Sequence, residues 1–82
     1  MAEDETTWTD TGEALVGERS FADFATALAW VDRVGAVAEQ RNHHPDILLH
    51  AYNQVRLTLS THTTATVTDA DRALAAAIDA LR

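Results

Sequence analysis

The chain has 82 residues and a mass of 8.9 kDa, which is the size of one domain, so we expect residues 1–82 to fold as a single unit. Its 13 acidic and six basic residues give a net charge of −7, which disfavours direct binding to the phosphates of nucleic acids. The absence of cysteine excludes disulfides and thiolate metal sites, and the absence of a membrane-length apolar run or a secretory signal pattern predicts a cytoplasmic protein.

Two short β-strands are predicted near the beginning of the chain. Residues 6–9, around Trp8, are rich in side chains that favour strands. Residues 14–21 form a second candidate strand, with Gly12 and Gly17 as turn signals nearby. These two segments predict the first strands of a sheet.

A long α-helix follows them. Ser20 and Asp23 have the spacing of a helix-start capping box, with Asp23 in the third helical position. Apolar residues then recur at helical spacing to about Arg41 and form the face expected to contact the sheet: Phe24, Leu28, Val31, Gly35 and Ala38. Asn42 can cap this helix, and Pro45 prevents its continuation. A second apolar stripe, left over for self-association, comprises Phe21, Ala25, Trp30, Val34 and Val37.

Two further strands are predicted after the long helix. Residues 46–52 read as one strand, and Asn53-Gln54 is expected to form a tight turn. Residues 55–61 alternate between apolar and polar side chains, which is typical of a half-buried strand. The polar face of this strand carries His62 at its end.

A second helix closes the chain. Thr68 and Asp71 repeat the capping-box spacing, and the inner stripe of the helix consists of Leu74, Ile78 and Leu81. The order of elements predicts an α+β fold, in which helices lie on one face of a four-stranded antiparallel sheet.

Three histidines at the ends of predicted elements are the candidates for chemistry: His43, His44 and His62. An imidazole with an ordinary pKa of about 6.5 can accept and donate protons near neutrality. Because His44 precedes proline, its backbone should be extended and its ring should point away from that of His43. The same pair is equally consistent with a polar helix terminus that the helix dipole favours. His50, in the middle of a strand, is expected to be a packed or solvent-facing residue.

A metal site is the weaker alternative. It would use His43, His44, His62 and Asp46, but adjacent histidines rarely converge on one ion and no His-Glu-x-x-His pattern is present. A serine hydrolase is also disfavoured, because the chain lacks a Gly-x-Ser-x-Gly elbow. The default roles of Asp71 and Glu39 are helix capping and a solvated charge, respectively. We therefore expect a site without metal.

A spaced set of residues nonetheless runs through most of the chain: Glu39-x-x-x-His43-His44-Pro45, six residues to Tyr52 and nine more to His62. It continues through Leu59-Ser60-Thr61-His62 and Val67-Thr68-x-x-Asp71-x-x-Leu74-Ala75, and Phe21-x-x-Phe24 with Ala27 and Trp30 precedes it. Over residues 14–79 this pattern resembles the pterin-4a-carbinolamine dehydratase family. A set of this length is far more specific than a single dipeptide.

The resemblance implies a dehydratase that needs neither metal nor cofactor. Members of that family remove water from 4a-hydroxytetrahydropterin, which yields quinonoid dihydropterin and recycles the cofactor of aromatic amino-acid hydroxylases. By this resemblance, His43 and His62 would be general acids or bases and His44 would bind and orient the pterin. The residues implied to line or support the pocket are Glu39, Asn42, Pro45, Ser60, Thr61, Thr63 and Asp71.

Four features depart from the family pattern. The family's additional N-terminal helix is expected to be shortened or absent, since seven residues precede Trp8. Ile47 stands where an aromatic residue is common, and Asn42 where an acidic residue is frequent. Thr66 replaces a usual glycine, which implies a different turn because threonine disfavours positive φ.

Two classes of function are compatible with this sequence. The first is the dehydratase acting on a small pterin, and the second is a protein-binding module of the same fold, either an assembly chaperone or a dimerisation partner. The presence of His43, His44 and His62 together favours the enzyme. In either case a homodimer or homotetramer built on helix contacts is expected, because a small domain gains stability by burying an apolar face.

Overall fold

Two β-hairpins, each followed by an α-helix, build the fold in the computed structural model, which describes residues 5–61 and 63–81. The elements in chain order are β1 (Thr7–Asp10), β2 (Leu15–Ser20), α1 (Phe24–Arg41), β3 (Asp46–His50), β4 (Gln54–Leu59) and α2 (Asp69–Asp79). All paired strands are antiparallel, in the order β1-β2-β4-β3. The predicted α+β class and four-stranded antiparallel sheet are confirmed. Within the described residues, neither helix is long and apolar enough to cross a bilayer.

One face of the sheet packs against the helices and forms the core. Val55, Leu57 and Leu59 alternate along β4 and are buried, as their spacing predicted. In the sheet register Leu59 lies opposite Leu15 of β2, which is also buried. The helices cover this face with the buried side chains of Ala27, Trp30, Val34, Leu74, Ala75 and Ile78.

Trp8 connects β1 to the rest of the molecule through packing and hydrogen bonds. Its partner in the sheet register is Gly17 of β2, and a Cβ atom at Gly17 would lie 2.6–2.9 Å from three carbons of the Trp8 indole. Any side chain at position 17 would therefore displace the indole. The Trp8 Nε1–H donates to both carboxylate oxygens of Asp79, at 2.9 and 3.1 Å, and so connects β1 with the end of α2.

The buried face of α1 agrees only in part with the face that the apolar spacing predicted. Its buried residues are Ala27, Trp30, Val34 and Ala38. Ala38 was expected on this face, but Phe24 and Leu28 are 50% and 45% exposed, so the prediction was wrong for those two. Trp30 and Val34, assigned to a stripe for self-association, instead belong to the core of the chain itself, so that assignment was wrong as well. Both apolar stripes of this helix satisfy the 3.6-residue period, and the period alone does not choose between them. The large indole of Trp30 is buried against Phe21, with 5.3 Å between the ring centroids.

The two ends of α1 are capped differently, by a side chain at the N-terminus and by the backbone of Asn42 at the C-terminus. Asp23 is the N-cap itself, and its carboxylate accepts a hydrogen bond from the Thr26 N–H at 2.7 Å. The Thr26 side chain and then this N–H stabilise the carboxylate and so lower the pKa of Asp23. The predicted capping box starting at Ser20 is therefore wrong, because Ser20 still belongs to β2. At the other end Asn42 caps the helix with a left-handed φ of 50°, as predicted.

The β3–β4 turn lies earlier than predicted. Ala51 and Tyr52 have φ values of 48° and 55°, and Gln54 is already in β4, opposite His50. Asn53 does not form a two-residue turn with Gln54, and its side chain and backbone connect this turn to Phe21. Its amide nitrogen donates to the Phe21 carbonyl oxygen at 2.8 Å, and the Phe21 N–H donates to the Asn53 carbonyl at 2.9 Å.

The closing helix forms as its sequence predicted. Thr68 is the N-cap of α2, and the Asp71 carboxylate completes a capping box by accepting from the Thr68 N–H at 2.9 Å. Leu74 and Ile78 are fully buried, and Leu81 is half-buried against the same core. The capping box places Asp71 at the beginning of α2, close to the end of α1.

Candidate active site

Three segments that are distant in the sequence meet at one end of the helical layer. His43 follows α1, Thr61 follows β4, and Asp71 lies in the first turn of α2. The Nε2 atom of His43 lies 2.5 Å from Oδ1 of Asp71, and the Thr61 hydroxyl lies 3.0 Å from Oδ2. The structure thus brings together three of the predicted site residues around one carboxylate.

Asp71 is fully buried and its carboxylate is well supplied with donors. Oδ2 accepts from the Thr68 N–H at 2.9 Å and from the Thr61 hydroxyl at 3.0 Å. The hydroxyls of Thr61 and Thr68 are themselves 2.6 Å apart. A buried carboxylate is tolerated only when its oxygens are hydrogen-bonded in this way. The two threonines therefore fix the carboxylate and leave Oδ1 directed at His43.

The ionisation of Asp71 results from two opposing effects. Burial on its own would raise the pKa of this carboxyl group, but hydrogen bonds from His43, the Thr68 N–H and Thr61 outweigh it. The pKa of Asp71 consequently lies below its ordinary value. The position of the carboxylate in the first turn of α2 adds the favourable end of the helix dipole. Asp71 is therefore an anion at neutral pH.

His43 is held at one nitrogen and open at the other. The last turn of α1 positions it, since the His43 N–H donates to the Ala38 carbonyl at 3.1 Å. Its side chain is 19% exposed, and in residues 5–61 and 63–81 its Nδ1 atom has no hydrogen-bond partner. An anionic carboxylate at Nε2 keeps the proton of a neutral imidazole on that atom. The lone pair is then on Nδ1, where it can accept a proton from a ligand.

The neighbouring His44 has different surroundings. Its Nε2 atom lies 3.2 Å from Oε2 of Glu39, a residue of α1, and the His44 side chain is 53% exposed. The Glu39 side chain is also exposed. The adjacent imidazoles of His43 and His44 thus pair with carboxylates from different helices. One pair lies inside the molecule and the other at its surface.

The remaining predicted site residues are placed around these pairs without joining them. Asn42 and Thr63 are exposed, whereas Pro45 and Ser60 are half-buried. In the part of the chain that the structure describes, none of these four side chains forms a hydrogen bond with His43 or Asp71. His62 lies outside the described residues, so its catalytic role stays a prediction.

Thr68 belongs to the site but was not among the predicted site residues. Its backbone and hydroxyl both contact the Thr61–Asp71 group. The sequence signal for it was the capping-box spacing, which points to a purely structural role. Local spacing cannot distinguish an ordinary helix cap from a capping carboxylate that also contacts a histidine 28 positions away.

The turn before α2 does not require a positive φ at Thr66, the conformation that threonine disfavours. Positive φ falls on Ala65, at 51°, and Thr66 forms a β-bridge with Thr61. The Thr66 hydroxyl donates to the Gly12 carbonyl at 2.9 Å, which ties this segment to the β1–β2 turn. The bridge holds Thr61 in place, and so helps to fix the donor that reaches Asp71.

The described residues contain no group of three or more histidine or acidic side chains arranged to hold a metal ion. The arrangement that they do contain is an imidazole positioned by a buried carboxylate. Such a pair binds and transfers protons, as it does in enzymes that use histidine as a general base.

Sequence comparison relates the whole chain to one group of proteins. The model of the family described as Pterin 4 alpha carbinolamine dehydratase matches residues 1–81. A protein of Thermomicrobium roseum, with a provisional assignment as a pterin-4-alpha-carbinolamine dehydratase, is 46% identical over 68 residues. This match spans 83% of the present chain and 72% of the relative.

Two solved structures resemble the fold closely. A transcriptional coactivator/pterin dehydratase from Brucella melitensis superposes with a TM-score of 0.78 at 35% identity, over 92% of this chain and 79% of its own. A pterin dehydratase-like protein identified as a RuBisCO assembly factor in the alpha-carboxysome superposes with a TM-score of 0.77 at 28% identity, over 98% and 94%. The same backbone is thus found in proteins described by different activities.

Proposed function

Because the chain belongs to the pterin-4a-carbinolamine dehydratase family, we propose that it removes water from a 4a-hydroxytetrahydropterin and releases the quinonoid dihydropterin. Such a reaction recycles the pterin cofactor of aromatic amino-acid hydroxylases. The observation that supports this proposal is the contact between His43 and the buried Asp71. An imidazole positioned in this way suits a reaction that consists of two proton transfers.

The dehydration breaks one carbon–oxygen bond and one nitrogen–hydrogen bond. The hydroxyl on carbon 4a takes up a proton and leaves as water, and the adjacent ring nitrogen loses its proton as the carbon–nitrogen double bond forms. Hydroxide is a poor leaving group, so an acid must protonate the oxygen while the bond breaks. The site therefore needs one proton donor and one proton acceptor on the same ligand.

In our proposal His43 is the acceptor. Asp71 keeps the proton of the neutral imidazole on Nε2, which leaves Nδ1 free to take the proton of the ring nitrogen. The imidazolium that forms is stabilised by the same carboxylate, because Asp71 is anionic at neutral pH. Asp71 acts through His43 and does not touch the substrate, so it is a positioning residue.

The donor and the binding residues follow the family resemblance. We assign His62 as the acid that protonates the departing hydroxyl, and His44 as the group that binds and orients the pterin. Glu39, which contacts His44, belongs to the same wall of the pocket. A positioned imidazole typically accelerates proton transfer by about 10²–10⁴-fold. This magnitude suffices for a carbinolamine that already loses water without a catalyst.

A non-catalytic, protein-binding role is the second candidate, and one observation favours it. The RuBisCO assembly factor shares the fold over 98% of this chain. Catalysis remains the preferred proposal because the His43–Asp71 pair suits proton transfer, which a protein-binding role does not require. A buried imidazole–carboxylate pair gives little net stability compared with apolar packing.

The test is the rate of dehydration in a coupled hydroxylase assay, with and without the protein. We expect the wild-type chain to accelerate dehydration, and His43→Gln and His62→Ala to lose most of that acceleration while remaining folded. Arg33→Gln is the matched control, since Arg33 is an exposed residue of α1. Equal rates with and without the wild-type protein would reject the proposal and favour the protein-binding role.

A further inference from the structure

The turn between β1 and β2 contacts the segment that carries the candidate site. The Gly12 carbonyl in this turn accepts a hydrogen bond from the Thr66 hydroxyl at 2.9 Å. Oδ2 of Asp10, at the end of β1, lies 4.0 Å from Nη2 of Arg72 in α2. Because Asp71 lies between Thr66 and Arg72 in the sequence, the two contacts flank the segment that presents the buried carboxylate.

The β1–β2 turn holds the Gly12 carbonyl in a defined position. The Gly12 N–H donates to Oδ1 of Asp10 at 2.8 Å, and Gly12 itself has a φ of 88°. On the other side of the turn, the Thr11 N–H donates to the Ala14 carbonyl at 2.9 Å, and the Thr11 hydroxyl accepts from the Ala14 N–H at 3.1 Å. These hydrogen bonds fix the backbone around Gly12, so its carbonyl is a well-placed acceptor for Thr66.

The loop of residues 61–66, described at 61 and 63–66, is closed by the β-bridge between Thr61 and Thr66. The Thr61 N–H donates to the Thr66 carbonyl at 3.0 Å. The Thr61 carbonyl accepts from the N–H groups of Thr64 and Ala65 at 3.1 and 2.7 Å. The backbone position of Thr61 is therefore tied to that of Thr66.

Side chains attach this loop to other elements at the two ends of the bridge. At one end, the Thr61 hydroxyl donates to Oδ2 of Asp71 at 3.0 Å. At the other end, the Thr66 hydroxyl donates to Gly12. The Thr64 hydroxyl, by contrast, donates to the Thr61 carbonyl within the loop. Among the described residues, the contact of the loop with the β1–β2 turn thus depends on the Thr66 hydroxyl.

We propose that Thr66 is a positioning residue of the site. Its hydroxyl anchors the loop to Gly12, and the anchored loop places the Thr61 hydroxyl on Oδ2 of Asp71. Asp71 in turn orients the imidazole of His43. The consequence for catalysis rests on the proposed function, whereas the consequence for the imidazole does not.

Removal of the Thr66 hydroxyl should act on the loop and hardly at all on global stability. Gly12 is exposed, and none of the described residues of the loop is buried. Local opening of the loop therefore leaves the core intact, and its equilibrium responds to the loss of a single hydrogen bond. One net hydrogen bond corresponds to about a five-fold change in such an equilibrium.

Thr66→Val removes the hydroxyl and keeps a side chain of similar size. We expect amide hydrogen exchange at Thr61 to become about five-fold faster. The imidazole ¹⁵N signals of His43 should move in the same direction as in Thr61→Val, which lacks the donor to Asp71 altogether. Unchanged exchange at Thr61, or unchanged His43 signals, would overturn the proposal.

Two further variants separate the hydroxyl from the substitution itself. Thr66→Ser restores a hydroxyl, so both measurements should return close to the wild-type values. Thr9→Val is the matched control, because Thr9 is an exposed residue of β1 whose side chain forms no hydrogen bond within the described residues. It should leave the Thr61 exchange and the His43 signals unchanged. Equal effects of Thr66→Val and Thr66→Ser would also contradict the proposal.

The dehydration assay tests the consequence for the proposed function. We expect Thr66→Val to lower kcat by about two- to five-fold with KM unchanged, since the geometry of the proton acceptor matters in the chemical step. The same substitution should have no further effect on kcat in a Thr61→Val background, because its influence passes through the Thr61 hydroxyl. Equal losses in the two backgrounds would refute the positioning role. A wild-type chain without activity would refute the proposed function, while the Thr61 exchange and the His43 signals would still decide the positioning.

Discussion

His43 and His44 are adjacent in the sequence, yet their imidazoles are held very differently. Both contact a carboxylate through Nε2, but His43 contacts the fully buried Asp71 and His44 the exposed Glu39. Asp71 is fixed by two further donors, whereas solvent surrounds Glu39. The comparison teaches that a carboxylate constrains an imidazole when burial and other hydrogen bonds fix the carboxylate itself.

The strongest test of this contrast is Asp71→Asn. The amide removes the charge that keeps the proton on Nε2 of His43, so we expect the dehydration rate to fall by about 10²–10⁴-fold. The measurement is kcat in the coupled assay, together with the tautomer of His43 from imidazole ¹⁵N NMR. The tautomer should change in this variant.

Asp69→Asn is the matched control for that substitution. Asp69 lies in the same first turn of α2, but it is exposed, and among the described residues it pairs only with Arg72. We expect its kcat and the His43 tautomer to match those of the wild type. If the His43 tautomer is unchanged in Asp71→Asn, then Asp71 acts only as a helix cap and does not position His43.

Thr61→Val should have the next largest effect, on stability. The substitution removes the hydroxyl that donates to Oδ2 of Asp71 and leaves a buried carboxylate oxygen short of one partner. Such a loss costs about 1–3 kcal/mol of the free energy of unfolding, which urea denaturation would measure. Thr61→Ser retains the hydroxyl and should lose much less. Equal losses in the two variants would mean that the methyl group matters and the hydrogen bond does not.

Acid should lower the free energy of unfolding, because it protonates the buried Asp71. Because the pKa of Asp71 is lower in the folded protein than its ordinary value of about 3.9, its contribution to stability is present above that value. It is lost as the pH falls through the lower, folded pKa. Urea denaturation from about pH 6 to about pH 2 should therefore show a steeper decline in unfolding free energy for the wild type than for Asp71→Asn. Parallel declines would contradict the lowered pKa.

Glu39→Gln should have the smallest effect on stability. An exposed pair of this kind contributes about 0–1 kcal/mol, so the urea midpoint should hardly move. If Glu39 lines the pocket as proposed, the substitution should raise KM while leaving kcat nearly constant. A large loss of stability would show that the His44–Glu39 contact is as constrained as that of His43.

The sequence predicted most elements because their signals are local. The alternation along β4, the left-handed cap at Asn42 and the capping box at Thr68 are each encoded within a few residues. The buried face of α1 was predicted only in part, since two apolar stripes satisfied the helical period and only contacts with Phe21 and the sheet select Trp30. Local patterns therefore fix elements more reliably than they fix their orientation.

The candidate site was only partly predictable, for a related reason. The likeness to the pterin-4a-carbinolamine dehydratases pointed to both His43 and Asp71, which are 28 positions apart, whereas no periodic pattern connects them. Thr68 was missed because its role as a helix cap explains its position completely. Contacts between the ends of different elements depend on how those elements pack. The spacing of residues within one segment does not determine that packing.

The Trp8–Asp79 contact has a consequence for how the molecule opens. It joins residues 71 positions apart and so couples the outermost strand to the final turn of the last helix. Detachment of either element breaks the same hydrogen bonds, so we expect the opening of the two peripheral elements to be coupled. Indole emission moves to longer wavelengths on contact with water, so a Trp30→Phe variant would carry Trp8 as its single tryptophan, whose emission reports this partial opening before global denaturation.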